Sequence, residues 1–112
     1  MMQDLVAIHH PADYDLSLED EAMGRDIDAL NDEKVAAGVR IFGGGLSPAR
    51  SARSLRAQRD GKVLITDGPD LETKEHIGGF GGWKPLIWMM HLRGGRKAAV
   101  ACRAPVEVRP FI

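Results

Sequence analysis

Between Leu5 and Gly38 the chain changes its hydrophobic period, and that change does most to limit what it can fold into. "LVAIHH" (Leu5–His10) is a short apolar run stopped by Pro11, with the bounds and Val/Ile content of a buried strand. After the loop "PADYDLS", Met23, Ile27 and Leu30 recur at spacings of four and three, with Val35 continuing near that face, which is the pattern of a one-sided helix. Ser17 stands three residues before Asp20, with Glu19 and Glu21 beside it. This is a near capping box that puts acids on the positive end of a helix. Gly38 supplies the left-handed residue that closes one. The spacing predicts a strand followed by a helix over about residues 18–37.

The rest reads mostly as strands. "VRIFGG" is the second, and Gly43, Gly44 and Gly45 make its end a place where a ligand or another backbone can approach. "SARSLRAQ" and "KVLIT" flank "RDGK", whose Asp60-Gly61 pair suits a type I′ hairpin. "DGPD" is turn chemistry, "ETKEHIGGF" returns toward a strand, and "VEVRPFI" alternates as a closing strand. If residues 81–95 are helical, the order becomes βαββαβ with one extra β-hairpin, an α+β ferredoxin-like sandwich. At 112 residues the chain is expected to be a single domain, 1–112.

Composition narrows the function classes. No apolar run approaches the ~20 residues of a membrane span. The start "MMQDLVAIHHP" has an acid and two histidines where a signal peptide carries a basic end and a long apolar core. A cytoplasmic protein without a membrane partner is expected. The one cysteine, Cys102, sits in "AVACRA" and reads as a small core thiol. Residues 1–37 carry ten acids against two bases, and residues 38–112 thirteen bases against six acids, so the two halves attract each other. Arg50, Arg53, Arg56 and Arg59 recur at every third position. In a strand that spacing alternates faces, and no aromatics interleave for stacking, so a solvated surface is expected and no nucleic acid partner.

At "VLITDGPDLETKEHIGGF" the chain resembles the YCII-related family, in the branch known by its DGPF signature. Asp67, Gly68, Pro69, Glu72, Thr73, Lys74, Glu75, Gly78 and Gly79 match, and Asp70 replaces the usual phenylalanine. "VEVRP" (Val106–Pro110) and the pattern from Ala36 to Pro48 match as well, so the resemblance covers most of the chain outside residues 81–95. It implies a sheet that pairs with a second copy to make a dimeric α+β barrel, a homodimer. Burying an open sheet face is the physical reason for such pairing.

Residues 81–95, "GGWKPLIWMMHLRGG", depart from the strand end, Asp and amphipathic helix that the resemblance implies there. Read one base out of register, the stretch permits "WGLEAADMDDALAWG", which has the same length, an N-cap Asp and an apolar Met/Ala/Leu/Trp face. Read literally, Leu86 to Leu92 is apolar except at His91, and Gly94 and Gly95 cost about 1 kcal/mol each inside a helix. One reading is a one-base loss after Phe80 repaired before Arg96. The other is a divergent insert whose Trp83, Trp88 and methionines form a core or dimer contact. Intact mass separates them where the shift arose in sequencing.

Candidate ligand-binding residues are His9, His10, Gly44, Asp67, Glu72, Lys74 and His76. His9 and His10 end the first strand, but neighbouring strand residues point to opposite faces and do not readily chelate one ion, so no metal and no cofactor are expected. The run from Asp67 to His76 gathers carboxylates near an imidazole able to move protons at neutral pH; a capped turn is the competing account of Asp67. In enzymes of the wider family the resemblance implies a helix-borne His working with an Asp in a pocket between sheet and helix, and the first helix here contains no His. Two functions are carried forward. One is a small-molecule-binding protein, enzymatic or not, with a pocket beside the sheet lined by His9 or His10, Asp67, Lys74 and Gly43–Gly45. The other is a non-catalytic regulatory or interaction domain, since members of this branch often accompany alternative sigma factors.

Overall fold

The computed structural model describes residues 3–11, 13–69, 75–84 and 88–112, and the backbone alone of residues 88–91. The elements are β1 (Asp4–Pro11), α1 (Glu21–Ala36), β2 (Arg40–Gly45), β3 (Arg53–Ala57), β4 (Val63–Asp67), β5 (Glu75–Trp83), α2 (Trp88–Cys102) and β6 (Val106–Pro110). Four strands form one antiparallel sheet in the order β2-β5-β1-β6, and β3 pairs with β4 in a separate hairpin. The chain is therefore α+β, a sheet under two helices. α1 and α2 pack against each other and on one sheet face, where Leu30 and Ala98 meet Val6, Ile8, Trp83 and Val106.

α1 begins later than its spacing predicts. Asp20, not Ser17, is the cap: its carboxylate accepts the Met23 N–H at 2.8 Å. Ser17 sits in a preceding turn (Leu16–Leu18), where Asp15 accepts its N–H at 2.9 Å. Val35 is 62% exposed. Five residues beyond Leu30, it lies about 140° round the helix from that side chain. Gly38 ends the helix with φ 71°, as its position predicts.

The hairpin forms at the expected place with a different turn. Type I′ needs positive φ at both central residues, and here Gly61 alone has it, at 84°. Gly61 N–H donates to Gln58 O at 3.1 Å, and Asp60 Oδ1 accepts the Lys62 N–H at 2.9 Å. A type I turn followed by a left-handed glycine fits these bonds. Arg53 and Arg56 lie on opposite faces of β3. The hairpin extends away from the larger sheet, and the radius of gyration is 16.0 Å where a compact chain of this length has about 13 Å.

Residues 81–83 belong to β5, not to a helix. Trp83 is 7% exposed and pairs in register with Asp4 on β1 and Arg40 on β2. Gly94 and Gly95 of α2 are buried. A Cβ on Gly94 would stand 2.9 Å from Trp83 Cη2 with Cζ3 nearer still, and one on Gly95 would stand 2.7 Å from Val108 Cγ2. These glycines let α2 approach the sheet, with Gly94 against the buried Trp83 and Gly95 against Val108.

The face away from the helices carries an apolar strip. Register places Leu5, Ala7, Phe42 and Phe80 on it, with Ile77 beyond. The rings of Phe42 and Phe80 lie 5.6 Å apart, and Phe42 is 55% exposed.

Candidate functional site

A cavity of about 220 Å³ lies between the sheet and α1. Its existence follows from register. The helix-facing positions of β2 and β5 pair Gly43 with Gly81 and Gly45 with Gly79, so these four positions of the floor bring no side chains of their own. A Cβ on Gly45 would meet nothing within 4 Å. Met23, Ile27 and Leu30 of α1 form the roof and Trp83 closes one end. Apolar walls with few polar groups are what a small-molecule site requires.

The Trp83 end carries two cations. The Lys34 ammonium stands 4.1 Å from the centre of the Trp83 ring, a cation–π placement. Burial pushes its pKa down, with the Glu33 charge opposing and Lys97 adding to the fall. Arg40 lies over the floor, its Nη2 donating to Gly43 O at 3.4 Å.

The opposite end is built around His10. The register of β1 against β5 shifts between Ile8 and His9, and such a bulge re-aims a side chain. The His10 ring consequently lies over Gly78, where an added Cβ would come within 2.9 Å of its Cγ. On its other side it stacks on Tyr14 at 3.7 Å and 14°. Its Nε2 is covered and has no hydrogen-bond partner among the described residues. Burial lowers the His10 pKa, with Glu19 opposing, so the ring is neutral at pH 7. Cys102 lines the same end, and its thiol is pushed up by burial and by Glu19, with Arg103 opposing. That makes it an inert thiol rather than a nucleophile.

Of the residues singled out from sequence, His10 and Gly44 border this cavity. His9 points to the opposite sheet face, so His10 is the strand-end histidine at the cavity. His76 pairs with His10 in register and borders a second hollow on the far side of the His10 ring. Asp67 stands at the end of β4, exposed and ion-paired with Arg53 at 3.1 Å. It does not line the cavity, because the hairpin that carries it leaves the sheet. Glu72 and Lys74 lie outside the described residues. Among the described residues no group of three or more His, Cys, Asp or Glu gathers to hold a metal, and no helix is long and apolar enough to cross a membrane.

Sequence reasoning missed Lys34, Arg40 and Tyr14, and did not place Trp83 at a cavity. Lys34 had a signal: it follows Leu30 by four and so shares the face of Ile27 and Leu30.

No known family model matches the chain. No curated protein matches it in sequence either.

Proposed function

We propose that the chain is a small-molecule-binding protein whose ligand occupies the cavity between the sheet and α1. The observation that carries this is the pairing of Gly43 with Gly81 and Gly45 with Gly79 under an apolar roof. Four strand positions that ordinarily fill a core are empty. His10 adds a polar anchor at one end: an unpartnered buried atom costs about 1–3 kcal/mol, and a ligand group reaching Nε2 would recover it. A neutral imidazole with an uncommitted nitrogen is also competent as a proton acceptor.

The same proposal takes the architecture as the ferredoxin-like βαββαβ sandwich of a DGPF-branch protein, assembled as a homodimer. The strand order β2-β5-β1-β6, with both helices on one face and the β3–β4 hairpin inserted, supports it. The apolar strip of Leu5, Ala7, Phe42 and Phe80 supports a second copy on the open face. That face carries an internally neutralised pair, Glu107 with Arg109, so two copies meet without net repulsion. The hairpin exposes Leu55 (64%) and Ile65 (61%) on one side, and an isolated two-stranded hairpin is marginal in water, so it too gains from a partner's cover. These exposed side chains are also what favours the second reading, a non-catalytic interaction domain.

The test uses Gly45→Val, which adds a β-branched side chain at a floor position where a Cβ meets nothing within 4 Å. Wild type titrated with 2-phenylethanol is expected to gain thermal stability, and the variant to fold normally yet gain none. Equal gains in both proteins would remove the cavity from consideration.

A further inference from the structure

The geometry points to an acid as the ligand: a molecule with an apolar body of about one aromatic ring and a carboxylate seated between Lys34 and Arg40. This deepens the cavity reading and rests on it.

Charge distribution carries the inference. Lys34 is held over one face of Trp83, and Arg40 is the register partner of Trp83 on the adjoining strand. The two cations therefore flank one ring, and both line the cavity. Three basic side chains of the helices meet acids: Arg25 with Glu21, Lys97 with Glu33 and Arg103 with Asp26. Among the described residues neither Lys34 nor Arg40 forms an ion pair. Arg56, Arg59, Lys62, Arg93 and Arg96 are exposed to water, and Lys84 is part-buried but does not line the cavity. Lys34 and Arg40 instead are part-buried at the closed end of an apolar space, where an uncompensated charge is costly. Asp4, the other register partner of Trp83, does not line the cavity.

The opposite end fixes direction. Glu19 is the carboxylate of the lining, and its charge is felt by His10, Tyr14 and Cys102. An acid entering the cavity is repelled there and attracted at the Trp83 end, so its apolar part lies along Met23, Ile27 and Leu30. Arginine and lysine together suit a carboxylate, the first by its planar fork and the second as a point charge. Size follows from volume. A dry cavity of about 150 Å³ accepts benzene, so about 220 Å³ accepts a ring with a short acid arm.

Three probes of one shape separate the possibilities: phenylacetate, phenylacetamide and phenethylamine, titrated by calorimetry into the full chain. Phenylacetate is expected to bind at least about tenfold tighter than the amide, the increment of one charge-assisted contact. Lys34→Gln and Arg40→Gln should each shrink that ratio, and Gly45→Val should abolish binding of all three. If either charge variant fails to fold, the wild-type ranking and the other variant still decide. Equal binding of acid and amide overturns the acid assignment while leaving the cavity site standing. Tightest binding of the amine overturns it in favour of Glu19. Phenylacetate binding unchanged in Gly45→Val places the acid elsewhere and overturns it as well, and failure of all three probes overturns the acid and the cavity together.

Discussion

Two glycine-to-alanine changes in the helices should move stability in opposite directions. Gly24 is exposed on α1, and a Cβ there meets nothing within 4 Å. Gly24→Ala therefore gains the helix propensity difference alone, about 1 kcal/mol. Gly94 in α2 earns the same propensity gain, but its Cβ would stand 2.9 Å from Trp83 Cη2 and 2.5 Å from Lys34 Nζ. Carbon contacts are ordinarily about 3.5–4.0 Å. The lysine tip swings aside easily. The indole cannot, being buried in the core between β1 and β2. Overpacking of this kind costs about 1–3 kcal/mol, which exceeds the propensity gain and leaves Gly94→Ala about 1 kcal/mol less stable than wild type. The two variants should thus differ by about 2 kcal/mol. At urea slopes of about 1–3 kcal/mol/M, their unfolding midpoints separate by about 1 M with unchanged slope. Trp83→Phe, which removes the clashing ring edge, should turn Gly94→Ala from harmful to helpful. A midpoint for Gly94→Ala that rises with that of Gly24→Ala would mean α2 does not rest on Trp83, and the closed end of the cavity would go with it.

Phe80→Glu puts a carboxylate at the centre of the apolar sheet face; sedimentation should then show a monomer where wild type shows a dimer, and a monomeric wild type would defeat the pairing proposed for that face. His10→Phe keeps an aromatic ring on Tyr14 and deletes the orphan Nε2, so the ligand-free protein should become more stable by about 1–3 kcal/mol while stabilisation by 2-phenylethanol, whose hydroxyl can reach Nε2, falls. Because burial holds the folded-state pKa of His10 below its unfolded value, the unfolded chain takes the proton first as pH falls through about 6.5. Wild type should lose stability between pH 7.5 and 5.5 more steeply than His10→Phe, and parallel losses would show that His10 is not buried in this way.

What the sequence revealed was mostly local. The β1–α1 unit, the hairpin and the last strand each rest on periodicity or turn residues within a few positions. Turn type and helix start were lost to competition between neighbours: Asp20 outbid Ser17 as a cap, and one left-handed glycine sufficed where two were expected. Gly81, Gly82 and Trp83 carry no strand pattern of their own, and only pairing to β1 and β2 at once makes them one. The cavity was half legible for the same reason. Gly43–Gly45 were read as a site of close approach, but that two of them face Gly79 and Gly81 is a matter of register, which a single sequence does not display. Arg40 is marked by nothing in its own segment and reaches the cavity only because its strand is set beside Trp83. Asp67 and His76 are near in sequence, yet one ends a strand of the separate hairpin and the other pairs with His10 in the larger sheet.

Glycine does two opposed jobs in this fold, and together they motivate the ligand and the second copy proposed for it. In α2 it removes a side chain so that helix and sheet can touch; in β2 and β5 it removes four so that they cannot. Among the described residues the buried hydrophobics are few, and two of the largest, Met23 and Trp83, border the cavity. Domains are stable by about 5–15 kcal/mol, so the empty floor and the uncovered sheet face are large omissions on that scale. Ligand at a hundredfold excess over its dissociation constant contributes about 2.7 kcal/mol, and a second copy contributes through mass action. Melting temperature should therefore rise with protein concentration in the absence of ligand, and the dependence should flatten in Phe80→Glu. A concentration-independent wild type would imply that β1, β5 and the two helices already suffice, and that the exposed Phe42 and Phe80 serve a partner other than the chain itself.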